Sequence, residues 1–289
     1  MAGMSKRKRS RRPAGSGGGA RQQTARRGRG HTNGALWLYG RHAVLAAIRN
    51  KNREIQRLIL TPAGRDAFEA DLAEALAARA EAAPAPAAET LAARDFERAL
   101  PQGTVHQGIA ALCRPLPEPG LEVLEAKPGG PLLKDVRPVV VLDQVTDPQN
   151  VGAVLRSAAV FGARAVVTTR RNAPEATGAL AKAASGALDT VPYVRVINLA
   201  RALAEMRDMG FWVIGLDAGA EELLSKAKVN GPTALVLGAE GTGLRRLTVE
   251  NCDALARLPV TARALAAGIG SLNVSAAAAV ALYELVRGS

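Results

Sequence analysis

The sequence predicts an α/β protein, a doubly wound parallel sheet with a smaller α/β unit ahead of it. Three observations carry that prediction. From Arg137 onward, apolar runs without polar alternation are separated by helix-like segments, as in strands covered on both faces of a parallel sheet. Before them a shorter stretch repeats the alternation on a smaller scale. Between the two, Pro115, Pro117, Pro119, Pro128 and Pro131 crowd together with Gly120, Gly129 and Gly130, a density of breakers that marks a linker. The 289 residues thus divide into a tail (1–34), a small α/β unit (35–114), a linker (115–136) and the main domain (137–289).

Taken in order, the elements of the small unit begin at Leu36. His42–Arg49 is helix-like, Ile55–Leu60 is an apolar run, and an Ala-rich helix starts near Arg65. Pro84-Ala85-Pro86 interrupts it, a short helix follows near Asp95–Leu100, and Gly108–Cys113 is strand-like. In the main domain, strands are expected at Val139–Leu142, Ala165–Thr169, Val194–Ile197, Phe211–Leu216, Ala234–Leu237 and Leu255–Leu258. Helices are expected at Val151–Phe161, Ala176–Ala187, Leu199–Met209 and Ser271–Val286, the last N-capped by Ser271.

Composition narrows the function classes. No apolar run reaches the roughly 18 residues of a membrane span. The N-terminus lacks the apolar segment of a secretory signal, and its Gly runs do not suit an amphipathic transit helix. Cys113 and Cys252 stand far apart without motif spacing, as reduced thiols of a cytoplasmic protein would. The net charge of +12 is unevenly placed: residues 1–34 hold ten Lys or Arg and no acid, leaving 28 bases against 26 acids elsewhere. A Gly/Ser/Arg arm of this kind cannot bury enough surface to order itself; such arms bind polyanions through counterion release, the alternative being a solubilising tail with no partner. A nucleic-acid partner is expected.

Three short blocks at strand ends hold the candidate chemistry. They are Asp147-Pro148-Gln149-Asn150 through Arg156, Leu237-Gly238-Ala239-Glu240-Gly241-Thr242-Gly243, and Ser271-Leu272-Asn273-Val274-Ser275. Singly, each has an ordinary reading: Asn150 and Ser271 as helix caps, Arg156 as a solvated helix charge, the glycines as a turn. Together they put polar side chains at three carboxyl ends of strands, where α/β sheets bind ligands. No metal set and no phosphate loop are present. Chemistry here must work by positioning and polarisation.

On these residues the chain resembles the SpoU/TrmH family of SPOUT methyltransferases, and within it the bacterial enzymes that methylate a guanosine 2'-hydroxyl in 23S ribosomal RNA. Tyr39-Gly40-Arg41-His42 and His106-Gln107-Gly108-Ile109 resemble the two ends of the family's substrate-binding domain, which is similar to ribosomal protein L30e. The resemblance covers 36–287. It implies that the main domain is a SPOUT domain whose C-terminal segment threads a trefoil knot, where the general rule of unknotted chains would give an open sheet. It further implies S-adenosylmethionine as cofactor, a homodimer with the active site across its interface, and no metal.

By the same resemblance, Arg156, Asn150, Glu240, Ser271 and Asn273 are the catalytic candidates. Gly238, Leu258 and Leu272 are expected to hold the cofactor, and Arg41, His42 and Arg57 the RNA, His42 being equally an ordinary helix residue. A guanidinium is always protonated and lacks an acceptor, so Arg156 is read as holding the target phosphate, not as a literal base. Between Pro259 and Ser271 the chain is longer than the family's usual loop. A transfer-RNA ribose methyltransferase, or a relative that binds RNA without catalysis, are the alternatives. A nucleotide oxidoreductase would need a Gly-x-Gly-x-x-Gly turn where this chain has Asp143-Gln144-Val145-Thr146-Asp147.

Overall fold

The computed structural model describes residues 34–79, 84–125, 136–227 and 231–287, with Met1. The basic tail lies almost wholly outside them. The first half is a sheet of β1 (Leu36–Tyr39), β2 (Ile55–Leu60), β3 (Ala88–Thr90) and β4 (Ile109–Cys113), ordered β1-β4-β2-β3. β4 runs antiparallel to β1 and β2, and β3 runs parallel to β2. Strand alternation sends Leu58, Leu60, Ile109 and Ala111 towards α1 (Arg41–Arg49) and α2 (Pro62–Arg79). Ile59 and Ala110 go to the opposite face, against Phe96 of α3 (Ala93–Ala99). Helix α2 starts at Pro62, ahead of the expected Arg65, because proline suits the first turn and Thr61 Oγ1 accepts from Gly64 N at 3.0 Å.

The second half is a six-stranded sheet. Its strands are β5 (Val139–Asp143), β6 (Ala165–Thr169), β7 (Tyr193–Val196), β8 (Trp212–Leu216), β9 (Thr233–Gly238) and β10 (Ala254–Ala256). Their order is β10-β8-β9-β5-β6-β7, and every pairing is parallel. Val139 and Val141 join the core beneath α6 (Leu199–Asp208), while Val140 and Leu142 join the one beneath α4 (Pro148–Val160) and α9 (Val274–Val286). This two-sided burial is why the strands carry unalternated apolar runs. The linker docks as well: Leu124 in a 3-10 turn is buried in the α6-side core, and Arg164 Nη2 donates to its carbonyl at 2.8 Å.

Several elements differ from expectation. The helix expected over 176–187 is only α5 (Gly178–Ala183), because Ser185 (φ 50°) and Gly186 (φ 87°) turn left-handed before a 3-10 turn at Ala187–Asp189. Two short helices were not expected, α7 (Arg246–Val249) and α8 (Ala262–Ala266). Helix α9 starts at Val274, so Ser271 sits too early to cap it, and Asn273 caps it instead. From β9 the chain passes β8 to form β10 at the sheet edge, then returns to lay α9 against α4 and β9.

Candidate active site

Strands β5 and β9 are adjacent, with Asp143 opposite Gly238, so their carboxyl ends open side by side. Beyond β5, Asp147 caps α4, its carboxylate accepting from Gln149 N (3.2 Å) and Asn150 N (3.3 Å), with Pro148 in the first turn. The expected cap was Asn150. Because Asp147 fills that role, the Asn150 side chain is released to reach the second block, where Nδ2 donates to Glu240 Oε1 at 3.2 Å.

The third block closes the cluster. Asn273 Oδ1 accepts from Ser275 N (2.9 Å) and Ser275 Oγ (2.6 Å). Its Nδ2 donates to Glu240 Oε1 (2.6 Å) and to Asn150 Oδ1 (3.0 Å). Val274 N also donates to Glu240 Oε1, at 3.4 Å. One carboxylate oxygen therefore gathers three donors at the positive end of α9, where a helix favours negative charge. The other, Oε2, takes no hydrogen bond among the described residues.

The turn presenting Glu240 is built by glycine. A Cβ on Gly238 would lie 2.2 Å from the carbonyl carbon of Gly243, and Gly241 (φ 82°) and Gly243 (φ 66°) are left-handed. Gly243 N closes the turn onto Ala239 O at 2.9 Å. Its far end is clamped by Asp143, which is fully buried and accepts from Arg245 N (3.0 Å), Arg245 Nε (2.7 Å) and Thr248 Oγ1 (2.7 Å). Sequence reasoning missed Asp143 and Ser275. The available signal for Asp143 was a carboxylate ending a wholly apolar strand, where burial demands partners.

Other predicted residues stand apart from this cluster. Arg156 lies six residues beyond Asn150 on α4, about 120° round and roughly 9 Å along the axis. It is exposed and makes no hydrogen bond or ion pair among the described residues. Ser271 is exposed and likewise without a hydrogen bond. Leu258 follows β10, half-buried, and Leu272 is exposed. The segment between them holds α8, capped by Thr261 Oγ1 accepting from Ala264 N (3.2 Å) and ended by left-handed Gly268. Its Leu265 and Ile269 are exposed.

In the small sheet the two matched motif ends meet. Gly40 N donates to Ile109 O (3.2 Å), and Arg41 N to Gln107 Oε1 (3.0 Å). The Arg41 guanidinium is bound to Asp71 at 2.8 Å, and His42 is exposed. Arg57 is held by both oxygens of Glu89 (2.9 and 2.7 Å). That hydrogen bonding raises the guanidinium pKa and lowers that of the carboxyl, so Arg57 meets solvent as half of an ion pair. Burial pushes the Cys113 and Cys252 thiols up to about 12, which leaves neither as a nucleophile.

A parallel sheet with polar blocks clustered at its strand ends, preceded by a small mixed sheet, is the plan of an RNA methylase. The chain belongs to the SpoU rRNA methylase family, which it matches over residues 137–283. Residues 37–119 match the family described as RNA 2'-O ribose methyltransferase substrate binding. Among individual relatives, the 23S rRNA (guanosine-2'-O-)-methyltransferase RlmB of Ralstonia nicotianae is 42% identical over 86% of this chain and 94% of its own length. A solved putative RNA methyltransferase of the TrmH family from Porphyromonas gingivalis is 25% identical, with TM-score 0.66 over 89% of this chain and 91% of that one. The SpoU methyltransferase AviRb from Streptomyces viridochromogenes, solved in complex with AdoMet, shares the fold at 20% identity and TM-score 0.65, covering 88% of this chain and 90% of that one.

Proposed function

We propose that this protein transfers a methyl group from S-adenosylmethionine to the ribose 2'-hydroxyl of a guanosine in 23S ribosomal RNA. The observation that carries this reading is the Asn150–Glu240–Asn273 cluster, in which three separate blocks converge on one carboxylate oxygen. A relative that had lost catalysis would have no use for keeping all three.

The residues present fit the cofactor. Gly238 stands half-buried at the end of β9, and exposed Leu272 and Ile269 offer apolar surface for an adenine ring. Bound there, S-adenosylmethionine supplies a sulfonium-activated methyl group. The protein's part is to align the acceptor oxygen, which supplies several kcal/mol of the barrier. Asn150, Glu240 and Asn273 fix one wall of the site, and the unpaired Glu240 Oε2 is free to accept a hydrogen bond from the ribose or the cofactor. Ser271 adds a hydroxyl at the same helix entrance. Arg156 holds the target phosphate and so favours loss of the neighbouring hydroxyl proton.

The face on which Arg156 lies supports a homodimer. Val160 is one helical turn beyond it and 71% exposed, and Tyr283 of α9, 55% exposed, meets Phe161 edge-on at 6.3 Å. Apolar side chains exposed beside a functional arginine suit a second copy of the chain, which would bring that copy's Arg156 to the cluster. The return of α9 past the sheet edge to hydrogen-bond the Glu240 turn supports the trefoil crossing. His42 and the basic tail are the RNA-gripping groups, with Arg41 and Arg57 weaker candidates because Asp71 and Glu89 neutralise them. No helix of the described residues is long and apolar enough to cross a membrane, which fits a cytoplasmic enzyme.

The deciding experiment is a mass-spectrometric map of 2'-O-methyl nucleotides in total RNA with and without the gene. Loss of one 23S guanosine mark is expected. Loss of a transfer-RNA mark instead overturns the substrate. Retained activity in Arg156→Lys would overturn the requirement for a two-pronged guanidinium.

A further inference from the structure

The two sheets meet at a buried ion pair. Asp189 ends the 3-10 turn after α5, and its Oδ1 accepts from Arg53 Nε (2.8 Å) and Asn50 Nδ2 (3.0 Å), both on the turn between α1 and β2. The side chains of Arg53 and Asp189 are only 5% and 1% exposed. Arg53 Nη1 also donates to the carbonyl of Arg114, where β4 runs into the linker, at 3.1 Å. The turn is itself held by buried Arg79, which donates to the carbonyls of Ile48 (3.0 Å), Asn50 (2.7 Å) and Arg53 (2.6 Å). The Arg53 guanidinium therefore ties its own turn to two other pieces of chain.

The contact around this pair is backbone-close. A Cβ on Gly178 would lie 2.0 Å from Trp37 O, and one on Gly186 would lie 2.5 Å from the Ala46 Cβ. Beyond α5 the tight packing continues into α4, where a Cβ on Gly152 would lie 2.5 Å from that of Ala183. Helix α4 carries Asn150 and Arg156. A buried ion pair is a poor way to gain stability, since desolvation offsets its attraction and an apolar pair serves as well. This one is bonded along one edge only, for Asp189 Oδ2 is buried without a partner. Its advantage is directional: it permits one register of the two halves.

We propose that Arg53 and Asp189 are positioning residues for methyl transfer, latching the RNA-gripping sheet onto the methylase sheet of the same chain at a fixed distance from the catalytic cluster. The proposal rests on the RNA-methyltransferase reading above. The latch keeps the local concentration of captured RNA at the cluster high, and a loosened sheet spreads the same RNA over a larger volume. Its loss therefore lowers kcat without changing the affinity for RNA or cofactor.

The test uses full-length protein spin-labelled at Glu69→Cys and Glu221→Cys, exposed positions in the two halves, diluted with unlabelled chain. Wild-type latch residues should give one narrow distance distribution, and Arg53→Met/Asp189→Leu a broad one. The double variant should lose about tenfold in kcat on a 23S fragment, with Kd for RNA and for S-adenosylmethionine within about twofold. A purely structural role would weaken cofactor binding in step. A broad distribution in wild type overturns the latch, whatever the variants do. Unchanged kcat in a folded double variant overturns the positioning role. If the protein methylates some other RNA, or none, the distance measurement still decides whether the latch exists.

Discussion

Replacing Asn273 by Asp separates the architecture of the site from its chemistry. Asn273 does two jobs: Oδ1 caps α9, and Nδ2 ties Glu240 to Asn150. Aspartate caps a helix as well as asparagine and adds a charge that the N-terminus favours, so α9 should be undisturbed. The second job is destroyed, because a carboxylate oxygen replaces a donor that stood 2.6 Å from Glu240 Oε1. Two unit charges at that separation repel by about 2 kcal/mol in a water-exposed site. The carboxylates will swing apart and take Glu240 from its place, a displacement of the size that costs about a hundredfold in rate. Transfer of labelled methyl to a 23S fragment should fall by that factor, while Tm stays within about 2 °C of wild type. Asn273→Ala should also lose about 1 kcal/mol of capping. Asn273→Asp with a third or more of wild-type turnover would refute the reasoning, as would a loss of activity explained by a matching fall in Tm.

Gly238→Ala should cut activity more than stability, because its Cβ would sit 2.2 Å from backbone across the Glu240 turn and force the turn to move; turnover and Tm measured together check this. Asp143→Ala should unfold the protein more readily by about 3 kcal/mol in denaturant titration, since it strands the buried Thr248 hydroxyl and frees Arg245; a change below about 1 kcal/mol would contradict the clamp. The thiols predict a pH dependence. Burial raises the Cys113 and Cys252 thiols from an ordinary 9.0 to about 12, so an unfolded chain ionises first, and their contribution is complete below about pH 9 and is lost as pH rises towards 12. Ellman's reagent at pH 8 should find neither thiol until denaturant is added.

How much of the fold was legible depends on whether local physics or pairing made each element. Val139–Leu142 is apolar on both faces, and its strand was plain from those residues alone, the structure adding Asp143 at its end. The three residues of β3, Ala88-Glu89-Thr90, have little strand preference of their own and exist because Leu58–Leu60 offers them a hydrogen-bonding edge. Helix α8 could have been found, since Thr261 and Gly268 are a start and a stop at helical spacing. Instead it lay inside a segment read as a loop. The strand order was not legible at all. Nothing local makes β9 pair with β5 when β6, β7 and β8 lie between them in sequence.

That pairing is also what turns three unremarkable turns into a site. Asn150 and Glu240 meet because β5 and β9 are neighbours, and Asn273 joins them because α9 returns from the sheet edge to α4. Sequence alone supplied side-chain types at strand ends, yet it put the cap three residues late at α4 and two residues early at α9. The error had one cause. A cap must reach the second or third amide of its helix, so the true helix start decides which polar residue is used up in capping and which is released. At α4 Asp147 is used and Asn150 released. At α9 Asn273 does both, and Ser271 neither. Arg156 resists the same treatment because its place is set by helix phase. About 120° round the helix from Asn150, it lies off the face of α4 that carries the cluster. An arginine that is exposed, unpaired and one turn from exposed Val160 acquires a target only when another chain covers that face. The catalytic dimer proposed above would explain the position of Arg156 and the apolar surface beside it together, and on that proposal mixing Arg156→Ala chains with Asn273→Asp chains should restore activity at one of the two sites of each mixed dimer.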